Sequence, residues 1–223
     1  MRGDEHDPAT RVVLRPLATP LPLGFLALAL ATTVFAALQL GWIPPEQGRV
    51  AALTALVATV PLQLTASIVG FLARDPVAAT GMGVLAGTWA TVGLTTLTSP
   101  PGSTSRGLGV VLITAGLAMF VPAVSGLAKL AAAAVMGLAG VRFLVTGMYQ
   151  LEGSSTWKGA AGWVGLALAV VAFYAALALE LEGSHHRTIL PVGRRGPSAA
   201  GMRGDSPLGP ADLAHEPGVR PQL

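Results

Sequence analysis

The stretch KGAAGWVGLALAVVAFYAALALEL, residues 158–181, decides the fold class of this chain. No charged side chain lies between Lys158 and Glu180, and nearly every residue is apolar. About 20 helical residues are enough to cross the hydrocarbon core of a bilayer. The stretch therefore has the length and composition of a transmembrane helix.

Five further stretches share this character, and short connectors with a breaker or a charge separate them. None shows the roughly ten-residue alternation that is typical of a membrane β-barrel strand. The sequence therefore predicts an all-α, polytopic membrane protein with six transmembrane helices. The predicted spans are residues 21–42, 50–73, 77–97, 107–127, 129–150 and 158–181.

The composition supports this fold class. Of 223 residues, 52% are hydrophobic and 11% are charged, with a mean hydropathy of +0.63, whereas soluble domains carry about 25% charged residues. Cysteine is absent, which excludes disulfides and thiol nucleophiles. The sequence pI is about 10.0, but the basic residues form no patch interleaved with aromatics, so we expect no nucleic-acid partner.

No motif indicates an enzyme or a cofactor. The chain lacks a Walker sequence, a Gly-x-Ser-x-Gly elbow and a His-Glu-x-x-His pair. The adjacent His185 and His186 do not share a helix face, so we predict no metal site there. We expect neither catalytic activity nor a resident cofactor.

The two ends of the chain differ from the apolar centre. Residues 1–16 and 194–223 are polar and rich in Pro and Gly, so we predict disordered cytoplasmic tails around a six-helix domain at 17–193. Six spans place both termini on one side, and the basic residues favour that side as the cytoplasm. The cations predicted inside the cell are Arg2, Arg11, Arg15, Arg74, Lys129, Arg187, Arg194, Arg195, Arg203 and Arg220, against Arg49, Arg106 and Lys158 outside.

Polar residues within the spans are candidates for a substrate pathway. Arg142 lies about eight residues from the outer end of the fifth span; it either extends to the outer headgroups or faces a wet lumen that concentrates small anions. In the second span, Gln63 has more hydrogen-bonding sites than its own helix can satisfy. The other candidates are Thr65, Ser67 and Thr88.

Two stretches resemble the acetate uptake transporter family, the family of the succinate–acetate permease. TPLPLGFLALAL, residues 19–30, is similar to its opening signature Asn-Pro-Ala-Pro-Leu-Gly-Leu. AGWVGLALAVVAFYAALALELEGSHHRTILPVG, residues 161–193, is similar to its closing helix and to its exit motif Arg-Thr-Val-Leu-Pro-Ile-Gly. The residues that carry the resemblance are Pro20, Pro22, Leu23, Gly24, Trp163, Tyr174, Arg187, Thr188, Leu190, Pro191 and Gly193.

The resemblance implies a pore through each six-helix protomer, a ring-shaped homohexamer in lipid, and passage of acetate or, in some members, succinate. For the transport mechanism, the resemblance is compatible with both proton-coupled transport and simple anion conduction. The family narrows its pore with an aromatic, a second aromatic and an aliphatic residue from the first, third and fifth helices. Spacing carries these positions onto Leu28, Leu85 and Ala139, or onto Leu138 after a one-residue slip; Gln63 matches a family Gln.

The chain departs from this pattern at several positions. Thr19 and Leu21 replace the signature Asn and Ala, and both expected aromatics of the constriction are aliphatic. An aliphatic neck is still dry, but it is wider, which favours a different or larger carboxylate. The leading hypothesis is membrane transport of acetate-like carboxylates. The alternatives are a neutral amide or urea channel of similar architecture and a non-transporting membrane scaffold.

Overall fold

The computed structural model describes residues 17–185, 187–196 and 199. Six helices within these residues are long and apolar enough to cross a membrane, and the all-α fold class is confirmed. They are α1 (Leu21–Leu40), α2 (Pro45–Leu72), α3 (Pro76–Thr98), α4 (Arg106–Ser125), α5 (Leu130–Glu152) and α6 (Ser155–His185). In the described ranges, the only β pairing is one isolated bridge between Lys129 and Arg194.

The helices begin and end where local chemistry favours it. The Asp75 carboxylate accepts hydrogen bonds from the backbone N–H of Val77 and Ala78, each at 3.1 Å, and Pro76 follows at the first helical position of α3. Gly41 and Gly153 end α1 and α5 in the left-handed conformation, with φ of 74° and 69°.

Helix α2 is continuous but not uniform. It starts with a 3₁₀ turn at Pro45–Gln47 and contains a π-helical segment at Thr54–Thr59, where the N–H of Val60 bonds to the carbonyl of Ala55. Pro61 follows directly. A proline ring clashes with the carbonyl four residues before it in a regular α-helix, so the wider π turn lets the helix continue.

The six helices form a closed ring in chain order. Each helix packs against the next, and α6 returns to pack along α1; the most extensive contacts join α4 to α5 and α1 to α6. Close approach of α4 and α5 depends on small residues, since a Cβ on Gly116 would lie 2.9 Å from the carbonyl oxygen of Gly140. Without a hydrophobic force between helices in lipid, such close backbone packing holds them together.

We call the end of the ring that carries residues 17–20 and 187–196 the termini end, and the opposite end the far end. At the termini end, the segment 187–196 docks on the start of α5. Leu130 and Ala131 donate backbone hydrogen bonds to Gly193 and Val192, at 3.1 and 3.0 Å, and the N–H of Arg195 donates to Ala128 at 2.9 Å.

Side chains strengthen this docking. The hydroxyl of Tyr174 donates to the carbonyl of Pro191 at 2.8 Å. The Glu182 carboxylate accepts hydrogen bonds from Thr188 and from the guanidinium of Arg194, with which it forms a salt bridge. The folded domain thus extends past residue 193, where we placed its boundary. The predicted tail at 1–16 lies outside the described residues, as do residues 197, 198 and 200–223 of the predicted C-terminal tail at 194–223.

Candidate functional site

Two recesses open at opposite ends of the ring. The far-end recess has a volume of ≈320 Å³; its lining includes Glu46, Arg49 and Lys158 at the rim and Phe35 and Gln39 from α1. The termini-end recess has a volume of ≈330 Å³, and its lining includes Leu21 of α1 together with the Asp75–Lys129 salt bridge. Both recesses are large enough for water and small solutes.

The residues of helix α1 give the distance between the two recesses. Leu21 lines one recess and Phe35 lines the other, and Leu28 lies midway, seven residues from each. Residues seven apart lie on nearly the same helix face, and fourteen residues rise about 21 Å. All three side chains are buried. Leu28 therefore faces the inside of the ring between the two recesses.

The predicted constriction residues are buried at matching depth. Leu28, Leu85 and Ala139 each have no exposed surface, and all three belong to one hydrophobic cluster. They lie seven to nine residues beyond the first residues of α1, α3 and α5, about 10–14 Å from the termini end. We call them the aliphatic layer. Leu138, the alternative to Ala139, is half-buried at the edge of the cluster.

A second layer, which the sequence analysis missed, lies one to two turns nearer the far end. The rings of Phe35 and Trp89 have centroids 5.4 Å apart, and those of Trp89 and Phe143 are 6.0 Å apart and nearly perpendicular. These buried rings of α1, α3 and α5 form the aromatic layer. Spacing could have revealed it, because its members follow the aliphatic layer by seven, four and four residues, on the same helix faces.

Arg142 lies inside the ring, with only 2% of its surface exposed. Of the two interpretations of this residue, extension to the headgroups is therefore wrong. Its Nη1 donates to the Thr146 hydroxyl at 2.7 Å, and that hydroxyl donates to the Arg142 carbonyl, also at 2.7 Å. Gly165 of α6 leaves room for the guanidinium, since a Cβ there would lie 2.9 Å from Nε. No described carboxylate forms a salt bridge with Arg142.

A small cavity of ≈20 Å³ adjoins the guanidinium. Phe35 and Gln39 line both this cavity and the far-end recess. Three of its side chains carry buried polar atoms that have no hydrogen-bond partner in the described part of the protein: Gln39 Oε1, Trp89 Nε1 and Arg142 Nε. The remaining lining is Val92, Leu112, Phe143 and Thr146.

The other predicted pathway residues divide into three groups. Gln63 is fully buried, and neither its amide oxygen nor its nitrogen has a partner among the described residues. Ser67 and Thr88 are also buried, but their hydroxyls bond to the carbonyls of Ala79 and Val84, at 2.6 and 2.7 Å. Thr65 was wrongly placed in the pathway: it is exposed on the outside of the ring, and it bonds to its own helix at Pro61.

The motif residues serve the fold. Pro20 and Pro22 begin α1, and Gly24 lies so close to Met82 of α3 that a Cβ would overlap its sulfur; Leu23 is exposed. Trp163 is exposed and contacts the exposed Trp42, edge to face, at 6.4 Å. Arg187 is exposed, whereas Tyr174, Pro191 and Gly193 join the docked segment to the bundle.

A metal site does not form from the described residues, because no three His, Asp or Glu side chains come together there. The arrangement instead offers hydrogen-bond donors and a positive charge beside a narrow apolar interior. Such a site can hold an anion or orient a small polar solute.

Comparison with known proteins supports the fold assignment. No protein-family model and no curated protein sequence matches the chain. Among solved structures, the chain is similar to the bacterial acetate channel SatP, with 22% sequence identity and a TM-score of 0.71. The similarity covers 80% of this chain and 100% of the channel. At this identity it establishes that the chain has the six-helix fold of that channel.

Proposed function

We propose that this protein carries acetate or a related small monocarboxylate across the cytoplasmic membrane, through the centre of its own six-helix ring. The observation that carries this proposal is the series Leu21, Leu28 and Phe35 on one face of α1. Leu21 and Phe35 line recesses at opposite ends of the ring, and the buried Leu28 lies midway between them, which supports a path through the centre. The fold that the chain shares with an acetate channel points in the same direction.

The aliphatic layer is the proposed constriction. A narrow apolar neck excludes water, so a solute must shed its hydration to pass. Leu28, Leu85 and Ala139 make such a neck without any polar group, and only a small solute can shed its water at acceptable cost. In our proposal the aliphatic layer sets the rate and Gln63 contributes a hydrogen bond nearby.

Buried charge favours an anion over a neutral solute or a cation. Arg142 and Glu182 are the buried charged side chains of the described residues, and Glu182 pairs with Arg194 at the termini end. Within the described residues, the proposed pathway therefore carries an unpaired positive charge at Arg142, and this charge raises the local concentration of anions. A neutral amide would gain nothing from this charge.

Orientation and assembly complete the proposal. We place the termini end in the cytoplasm because Arg74, Lys129, Arg187, Arg194 and Arg195 lie there, against Arg49, Arg106 and Lys158 at the far end. We also propose a homohexamer in lipid, and a transport role without catalysis. Large apolar side chains such as Val57, Phe71 and Val121 are more than two-thirds exposed on the single protomer, which fits a surface covered by lipid or by neighbouring protomers.

Acetate flux into proteoliposomes tests the constriction. Leu85→Trp should fill the neck and lower the flux at least tenfold. Leu94→Trp is the matched control, because Leu94 is exposed on the same helix; its flux should equal that of the unmodified protein. Undiminished flux through a folded Leu85→Trp variant would refute the neck. Wild-type flux no higher than that of protein-free vesicles would refute transport, and faster acetamide flux that acetate does not inhibit would favour the amide channel.

A further inference from the structure

We infer that the cavity beside Arg142 is a binding site for the carboxylate group of the smallest monocarboxylates, formate and acetate. The inference rests on the proposed function and extends it. It places a binding site for the transported anion between the far-end recess and the aliphatic layer. Four observations carry it, namely an uncompensated buried charge, two unused donors, apolar walls and two lining residues shared with the far-end recess.

The first observation is the charge. A guanidinium is charged at neutral pH, and burying an unpaired charge is costly unless an anion or hydrogen bonds compensate it. Arg142 is buried, and its guanidinium donates one hydrogen bond to a side chain, the neutral Thr146 hydroxyl. The described protein supplies no carboxylate to it. A bound anion would supply the missing charge.

The second observation is the set of unused donors. Trp89 Nε1 can only donate a hydrogen bond, yet it is buried without an acceptor, as is Arg142 Nε. Both side chains line the same cavity, from α3 and α5. A carboxylate accepts about four hydrogen bonds on its two oxygens, so one carboxylate can satisfy both donors. Hydrogen bonds to a charged acceptor are stronger than those to water.

Gln39 is the third polar group of the cavity. Its Oε1 is buried and unpartnered. Amide oxygen and nitrogen exchange places by a half-turn of the terminal torsion, and that turn presents an N–H donor to a bound carboxylate. Because Gln39 lines both the recess and the cavity, this side chain lies where an anion would pass from one to the other.

The walls and the size set the substrate class. Phe35, Val92, Leu112 and Phe143 surround the polar groups with apolar surface. That surface suits a hydrogen atom or a methyl group, whereas the second carboxylate of a dicarboxylate would lose its hydration there. A cavity of ≈20 Å³ holds about one water-sized group, so acetate must displace Gln39 and its neighbours, and longer chains must displace more.

Equilibrium binding to the purified full-length chain in detergent tests the site. A variant with Trp42, Trp157 and Trp163 replaced by Phe leaves Trp89 as its only tryptophan. We expect sodium acetate, but not sodium chloride at equal ionic strength, to change the Trp89 emission in a saturable way. Formate should act like acetate, butyrate should need at least tenfold more, and acetamide should have no effect. If the three replacements prevent folding, the acetate-dependent rise in melting temperature of the unmodified chain replaces the fluorescence measurement.

The matched variants are Arg142→Met, which removes the charge, and Arg106→Met, which removes an exposed cation at the far end. Arg142→Met should abolish the acetate response and raise the half-saturating acetate concentration for flux at least tenfold; Arg106→Met should change neither. If acetate moves across vesicles and Arg142→Met behaves like wild type, the site is wrong and the proposed function stands. If acetate binds at Trp89 and no flux occurs, the site stands and the proposed function is wrong.

Discussion

The two ends of the helix ring differ in whether their charged and polar groups have hydrogen-bond partners. At the termini end, the Asp75 carboxylate caps α3 and pairs with Lys129 at 3.5 Å, and the Glu182 carboxylate accepts from both Thr188 and Arg194. Toward the far end, Gln39, Trp89 and Arg142 meet at one cavity with polar atoms that have no partner among the described residues.

This difference separates structural from functional polarity. Buried polar groups are nearly always hydrogen-bonded in folded proteins, and an exception asks for an explanation. The Asp75 and Glu182 carboxylates at the termini end already have partners within the protein, so the loss of either should affect stability. The polar atoms of Gln39, Trp89 and Arg142 that have no partner among the described residues are free to bind a solute, so loss of these groups should affect binding. Three further measurements test this division.

Breaking the ion pair at the termini end should have the largest effect on stability. Glu182→Leu removes the carboxylate that pairs with the partly buried Arg194 guanidinium, and removing one partner of a buried pair costs about 3 kcal/mol. We expect that loss in the free energy of unfolding, measured by denaturant titration in detergent. Glu180→Leu, at an exposed position of the same helix, should change the stability little. Equal losses in the two variants would contradict a structural role for the pair.

Gly165→Ala should have a smaller effect on stability and a distinct one on binding. The new methyl group would lie 2.9 Å from Arg142 Nε and 3.1 Å from the Ala36 Cβ. Because the guanidinium can move, we expect a cost of about 1 kcal/mol, at the low end for overpacked interiors. The displaced guanidinium should weaken acetate binding, as judged by the same fluorescence titration. Unchanged binding would show that the position of the guanidinium is not critical. Gly159→Ala, where a Cβ meets nothing within 4 Å, is the control.

The smallest effects should come from hydroxyl groups on α2. Ser67 connects α2 to the Ala79 carbonyl of α3, so Ser67→Ala should cost about 1 kcal/mol of stability, as for one buried hydrogen bond. Thr65 bonds to its own helix on the outside of the ring, so Thr65→Val should change neither stability nor flux measurably. A loss of acetate flux in Thr65→Val would return this residue to the pathway and contradict its placement.

The fold could be predicted from the sequence because long apolar stretches admit one interpretation. The largest boundary error is the start of α2, predicted at residue 50 and observed at Pro45. The two consecutive prolines, Pro44 and Pro45, indicated a connector, but a proline fits well at the first position of a helix.

The candidate site was less predictable because it depends on which face of each helix points into the ring. Leu28, Leu85 and Ala139, which the family resemblance indicates as the constriction, are buried in one hydrophobic cluster, and their role as a constriction stays a prediction. Gln39 escaped notice since it lies at the end of α1, where polar residues are common. The pairing of Glu182 with Arg194 depends on the chain reversing between them, and neither residue has a local pattern that indicates its partner.

Because of the π-helical segment at Thr54–Thr59, α2 contains one more residue than a regular α-helix of the same length. Deleting one amino acid from this segment, together with replacement of Pro61, would restore regular turns while each half of the helix kept its present inward side. The same deletion in α1 or α3 would swivel everything beyond it by about 100° and turn lining residues toward the lipid. Helix α2 thus contains a place where chain length can vary without turning its lining side away from the ring.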